Sequence, residues 1–249
     1  MEFSLELLAI LSLVAVIAGF IDAIAGGGGL LTIPALLFAG VSPVQAIATN
    51  KLQACFGSFT ATRFFIKQNL VSPSKHKWGI LAAAIGAIFG AIGIQLFDSS
   101  LLIAALPYAL ILIAIYLLIA RNFGHPSTDA KLDEKKFNAS FITGIGFYDG
   151  FFGPGTGTFF TLSYCKMRAM NLIQATAHAK LMNFTTNIIS LLIFILSDQI
   201  LWQVGLAMAV GQIIGARIGA ATAIKQGTNF IRYMTVAVCI AMSISLLLK

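Results

Sequence analysis

The segment GFIDAIAGGGGLLTIPAL, Gly19 to Leu36, places an aspartate and four consecutive glycines inside one of the most apolar regions of the chain. Both are costly in a hydrophobic helix, each interior glycine by about 1 kcal/mol relative to alanine. The surrounding composition sharpens the question. Of 249 residues, 58% are hydrophobic and 10% are charged, and the mean hydropathy is +0.91. A chain this apolar lacks the polar surface that a water-soluble domain needs, so it reads as an integral membrane protein.

Runs such as Trp78 to Phe97 and Leu101 to Ala120 are long enough, at about 1.5 Å per residue, to cross a hydrocarbon core of about 30 Å. They do not alternate in polarity as barrel strands do. The predicted fold class is an all-α polytopic membrane protein. The opening MEFSLE carries Glu2 and Glu6 with no basic flank, which argues against reading Leu7 to Ala18 as a cleaved leader. Cys55, Cys165 and Cys239 are widely spaced and read as packing residues rather than as a disulfide framework or metal cluster. No metal and no cofactor is expected.

The opening motif returns. Gly19-Phe20-Ile21-Asp22 is matched by Gly146-Phe147-Tyr148-Asp149, QAIATNKL (Gln45 to Leu52) by QATAHAKL (Gln174 to Leu181), and Gly86-x-x-x-Gly90-Ala91 by Gly211-x-x-x-Gly215-Ala216. Three matches in the same order indicate a duplication. One transmembrane repeat covers 1–120, the other 137–249, and the polar linker 121–136 joins them. Basic residues cluster at Arg63, Lys67, Lys75 and Lys77, in the linker, at Lys166 and Arg168, and at Lys225 and Arg232. Basic loops stay in the cytoplasm, so these mark the inside, while Gly40 to Pro43, Phe97 to Ser100 and Ser197 to Gln199 mark the outside. The helix Trp78 to Phe97 then runs outward and its partner, Leu201 to Ala221, runs inward. That makes the repeats inverted, with both termini periplasmic and the linker cytoplasmic in an inner membrane. The net charge of +7 is explained by this bias and calls for no nucleic acid. Lipid is the expected surrounding, and a homo-oligomer is left open.

Each repeat carries one interrupted element, broken at Ala25 to Gly29 and at Gly153 to Gly157, followed by three full spans. Non-helical backbone at membrane depth is tolerated only where protein buries it or it lines a cavity. Glycine lets backbone N–H groups approach a ligand, and a break that leads into a helix N-terminus favours an anion. The two breaks, from opposite faces, are expected to meet near the midplane. Lys51 and Lys180 occupy matched positions; they either contact a ligand, snorkel to the nearest interface or pair locally with Asp22 or Asp149. Helical spacing puts Lys51, Cys55, Ser58 and Thr62 on one stripe and Lys180, Asn183 and Asn187 on another, both facing inward. Thr49, Asn50 and Gln53 fit either a ligand or bonding between helices. His178 stands where the first repeat has Thr49, and is either a satisfied neutral histidine or a proton relay. Asp22 and Asp149 support the site or couple protons. The Gly86/Gly90 and Gly211/Gly215 pairs read as close helix contacts, and Arg217 is given no role.

GFIDAIAGGGGLLTIPAL, ATNKLQA, GFYDGFFGPGTG and ATAHAKLMNFTTN resemble the signature segments of the TauE/SafE family, the sulfite-exporter-like or toluene sulfonate uptake permease group. The likeness covers essentially the whole chain. It implies an inner-membrane carrier for small sulfur-containing anions such as sulfite, sulfonates or thiosulfate, with coupling to protons, and not an enzyme. The candidate substrate-binding residues are then Gly26, Gly27, Gly28, Gly29 and Thr32; Thr49, Asn50, Lys51 and Gln53; Gly153, Gly155 and Thr156; and Lys180 and Asn183. Asp22, Asp149 and His178 are the candidates for proton coupling or support. An anion channel is the rival reading. An intramembrane aspartyl protease is a remote one, because the chain has GFID where such an enzyme needs Gly-x-Gly-Asp and its PAL (Pro34 to Leu36) lies between the two acids instead of after both.

Overall fold

The computed structural model describes residues 3–96 and 130–247, with side chains 228, 229, 231, 232 and 234–247 outside the description. Among the described residues every element is helical: α1 (Leu5–Ala25), α2 (Gly29–Phe38), α3 (Pro43–Lys67), a 3-10 turn (Pro73–Lys75), α4 (Lys77–Gln95), α5 (Glu134–Phe137), a π turn (Asn138–Ile142), α6 (Thr143–Phe151), α7 (Thr156–Arg168), α8 (Leu172–Leu196) and α9 (Trp202–Leu247). Four segments, Leu5–Ala25, Lys77–Gln95, Leu172–Leu196 and Trp202–Gly227, are long and apolar enough to cross a membrane. The expected span Leu101 to Ala120, the Phe97 to Ser100 turn and most of the linker lie outside the described residues.

The glycine breaks are real interruptions with local causes. α1 ends at Gly26, whose left-handed conformation (φ 81°, ψ 21°) lets its N–H reach back to the Asp22 carbonyl, a termination that glycine accepts without steric strain. Asp22 Oδ1 then accepts from Gly28 N at 3.2 Å, so the aspartate ties up backbone that the break has released. At the second break Gly153 and Gly155 have φ of 93° and 77°, Pro154 lacks an N–H, and Thr156 Oγ1 donates to the Gly153 carbonyl at 2.6 Å.

After each break the chain turns back on itself. A β-carbon at Gly28 would lie 3.0 Å from the Ala18 carbonyl oxygen, and Leu36 and Val41 share one buried cluster with Leu8 and Leu11. α1 and α2 thus form a hairpin open at one end of the bundle. The second hairpin, α5 through α7, opens at the other end. There Lys131 N donates to the Met167 carbonyl at 3.0 Å, Arg168 Nη1 to the Leu132 carbonyl at 2.6 Å, and the Phe137 and Tyr164 rings stack edge-on at 5.0 Å. The starts of α3 and α9 sit with the first open end, through Ala46, Val204 and Met208. The starts of α4 and α8 sit with the second, where Gly79 faces Asn138 and His76 meets His178.

Small residues decide which helices touch. Gly86 and Gly90 bring α4 against the backbone of α6, with no room for a β-carbon beside the Thr143 and Phe147 carbonyls. Gly211 and Gly215 bring α9 against α1 in the same way, at the Ser12 and Val16 carbonyls. Each hairpin is therefore clasped on its outer arm by a glycine-bearing helix from the other repeat, a backbone approach that suits membranes because lipid supplies no hydrophobic drive.

Gly90→Ala is expected to destabilise the protein by about 1–3 kcal/mol through overpacking, read as a lower melting temperature. Gly144→Ala, where a β-carbon meets nothing within 4 Å among the described residues, is the control and should be neutral or slightly stabilising.

Candidate functional site

The two breaks abut. Thr158 Oγ1 donates to the Ala25 carbonyl across the contact. Gly26 lies so close to the backbone of Gly157 and Thr158 that neither glycine could carry a β-carbon, and a β-carbon on Gly29 would sit 3.4 Å from Pro154 Cα. The helical stripes face the bundle interior as expected, since Lys51, Cys55, Ser58, Thr62, Lys180, Asn183 and Asn187 are all buried.

Both lysines take the pairing alternative, and they do so crosswise. Lys51 Nζ lies 2.7 Å from Asp149 Oδ1, with both side chains essentially inaccessible, and also donates to the Asp149 carbonyl. Lys180 Nζ lies 2.8 Å from Asp22 Oδ2. Each pair takes its lysine from one repeat and its aspartate from the other, so each bridges them. Two lysines and two aspartates leave the crossing formally neutral. Asp149 is additionally satisfied by Thr156 Oγ1 at 3.1 Å, Asn183 Nδ2 at 3.1 Å and Thr186 Oγ1. The ammonium groups nevertheless remain against the breaks: a β-carbon on Gly153 would lie 2.9 Å from Lys51 Nζ, and one on Gly157 would lie 3.2 Å from Lys180 Nζ.

A cavity of about 20 Å³ lies at the crossing, room for one water-sized group. Asp22, Gly26, Gly28, Gly29, Asn50 and Gln53 line it from one repeat, and Asp149, Gly153, Gly157, Asn183, Asn187 and Gln212 from the other. Among the described residues, the backbone N–H groups of Gly27, Gly29, Gly155 and Gly157 have no protein acceptor, and Gln53 Oε1 is a buried acceptor without a donor. Gln53 Nε2 and Thr32 Oγ1 both donate to Asn50 Oδ1 at 2.6 Å, which fixes the amide of Asn50.

Two predicted residues lie apart from the crossing. Thr49 Oγ1 accepts from Leu201 N at 3.1 Å, capping the approach to α9. His178 sits at the basic end, its Nε2 3.0 Å from His76 Nε2. His76, Thr186 and Gln212 escaped the sequence reading. Gln212 carried a signal, being a lone amide in the apolar run GLAMAVGQIIGARIG, but it has no counterpart in the first repeat. Arg217 stacks over the Phe64 ring at 4.4 Å. No group of three or more histidine, cysteine or acidic residues able to hold a metal occurs among the described residues.

These features define a class: a polytopic helical membrane protein with a buried polar centre held between two broken hairpins. Residues 11–246 match the sulfite exporter TauE/SafE family, and the chain belongs to that family. It is 46% identical over 243 residues to the Probable membrane transporter protein YfcA of Escherichia coli (strain K12), covering 97% of this chain and 90% of the relative. It is 41% identical over 246 residues to the Probable membrane transporter protein ORF9 of Sinorhizobium sp, covering 99% and 94%. A Probable membrane transporter protein of Haemophilus influenzae is 41% identical over 244 residues, covering 98% and 95%. No solved structure matches the chain.

Removing one partner of a buried pair strands the other charge, at a cost of about 3–5 kcal/mol. Lys51→Met should therefore destabilise strongly, while Lys51→Met combined with Asp149→Asn should cost clearly less than the two single changes added together. A double-mutant cycle on unfolding free energy reads this coupling, and strict additivity would show that the pair carries no interaction.

Proposed function

We propose that the protein is a secondary transporter that moves a small anion of the sulfur oxyanion or organosulfonate class across the inner membrane by alternating access. One observation carries the reading: two glycine breaks, one from each hairpin, abut at a buried crossing where free backbone N–H groups and two lysine heads converge. Backbone N–H groups at half-helix N-termini favour concentrated negative charge. Since the lysine and aspartate charges cancel, these N–H groups and the unused ammonium protons are the source of anion preference. The sulfite exporter family and relatives named as membrane transporters favour the same reading.

The repeats act as an inverted pair, each hairpin belonging to a half that rocks against the other. With about 20 Å³ at the crossing, a sulfur oxyanion enters only when the hairpins part, which favours a carrier over an open channel. Proton coupling completes the proposed cycle. The basic end is the cytoplasmic one, and both termini are periplasmic. Cysteine labelling at Ser127 and Lys249 tests that orientation: the positions should react from opposite faces, and labelling of both from one face would contradict it.

The substrate is tested on purified protein by thermal stabilisation, because a ligand that binds only the native state raises its apparent stability by mass action. Sulfite, thiosulfate, sulfate, sulfoacetate and taurine form the panel, with inorganic cations as comparison. Sulfur oxyanions should stabilise, and the shift should shrink in the charge-balanced variant Lys180→Met with Asp22→Asn. Stabilisation by cations alone, or by zwitterionic taurine above every anion, would contradict the anion reading.

A further inference from the structure

His178, a candidate for proton coupling, has a partner in His76 to which the transport reading gives no role. His76 follows the 3-10 turn and caps α4, in the first repeat; His178 lies on α8, in the second. Their rings meet edge-on, with centroids 4.4 Å apart. Each Nδ1 sits beside a carbonyl oxygen four residues back: His76 Nδ1 is 2.9 Å from Ser72 O, and His178 Nδ1 is 2.8 Å from Gln174 O. A carbonyl oxygen only accepts, so both Nδ1 atoms carry hydrogen. In a neutral imidazole the other nitrogen is then a bare acceptor. Two such acceptors would then be in contact at 3.0 Å with no hydrogen between them.

One added proton resolves the conflict, because 3.0 Å is an ordinary N–H···N distance. A metal ion does not resolve it: two zinc bonds of about 2.0–2.1 Å at a tetrahedral angle hold their nitrogens about 3.3 Å or more apart. We propose that His76 and His178 together form a binding site for a single proton, shared between their Nε2 atoms, which latches the two repeats at the basic end of the bundle. The proton comes from solvent and returns to it; no other bond is made or broken. Its loss leaves two acceptors in contact with no hydrogen between them and loosens the start of α4 from the start of α8.

The surroundings suit such a site. Tyr164 of α7 lies 5.2 Å from the His178 ring, centroid to centroid. Lys75 and Lys77 flank His76 in sequence, and Glu134 and Arg168 act electrostatically on Tyr164 from the open end of the second hairpin. On α8, the turn that carries His178 and Met182 faces α4, where Met182 Sδ would lie 3.5 Å from a β-carbon on Gly79. Lys180 and Asn183 face the crossing, bonded to Asp22 and Asp149. One helix thus carries the proton site on one face and the ion-paired centre on another. The latch rests on the reading of two moving halves, but the proton site stands on the ring geometry alone.

The test uses the full chain with His125→Gln, which leaves only this pair of the three histidines. Nitrogen-15 NMR of histidine-labelled protein in detergent, from pH 5 to 9, should show both Nδ1 atoms protonated throughout. The pair should take up one proton in a single step, with Nε2 shifts intermediate between bare and protonated nitrogen. Two rings titrating independently, or an unprotonated Nδ1, would overturn the site. Hydrogen exchange of segments 72–80 and 172–180, corrected for intrinsic rate, should become faster once that proton is lost. In His178→Gln, whose amide can donate to His76 without a proton, the same segments should lose this pH dependence. Wild-type exchange that ignores the protonation step, or a variant that keeps it, would overturn the latch. Neither readout involves substrate, so failure here and failure of the transport reading are separable.

Discussion

Two lysine–aspartate pairs, Lys51–Asp149 fully buried and Lys180–Asp22 largely so, hold the centre of this molecule together. An ammonium and a carboxylate withdrawn from water each cost several kcal/mol, and only close pairing with further hydrogen bonds offsets that cost. Asp149 meets the condition with Lys51, Thr156, Asn183 and Thr186 around its two oxygens; Asp22 meets it with Lys180 and the Gly28 amide. Because each pair draws on both repeats, neither repeat can satisfy its own charges alone. The repeats must dock, and docking brings the glycine breaks into contact.

The same arrangement explains why the glycines occur where they do. A β-carbon at Gly26 or Gly157 would collide with the opposing break, and one at Gly153 would crowd Lys51. The helix pairs α4 with α6 and α9 with α1 approach by the same device, each through two glycines one turn apart. Backbone contact replaces side-chain packing at the crossing and on the outer arms alike. What remains there is a small polar space lined by glycine backbone and by the amides of Asn50, Gln53, Asn183, Asn187 and Gln212.

Much of this was legible in the sequence, and for a physical reason. Apolar runs report spans, and glycine runs in apolar surroundings report breaks, since no other use of them at membrane depth is tolerable. The inward stripes of Lys51 and Lys180 follow from helical periodicity. What periodicity cannot reveal is which aspartate meets which lysine: the crosswise pairing depends on how the repeats dock, and local proximity in sequence points nowhere. Gln212 and His76 were hidden for a related cause. Each breaks the internal symmetry, so comparison of one repeat with the other gives no second copy to flag it. The neutrality of the crossing was one of the alternatives the sequence left open, and it shifts the expected source of anion affinity from lysine charge toward backbone N–H groups.

The most direct measurement locates an anion in the protein. Selenite, the heavier analogue of sulfite, can be placed by anomalous diffraction from crystals of the purified chain. The account predicts a selenium peak between Gly26–Gly29 and Gly153–Gly157, with backbone nitrogens of both breaks and at least one of Lys51 Nζ and Lys180 Nζ within hydrogen-bond reach and the hairpins separated. A selenium peak only among the basic residues at the second open end, with the breaks still in contact, would contradict it.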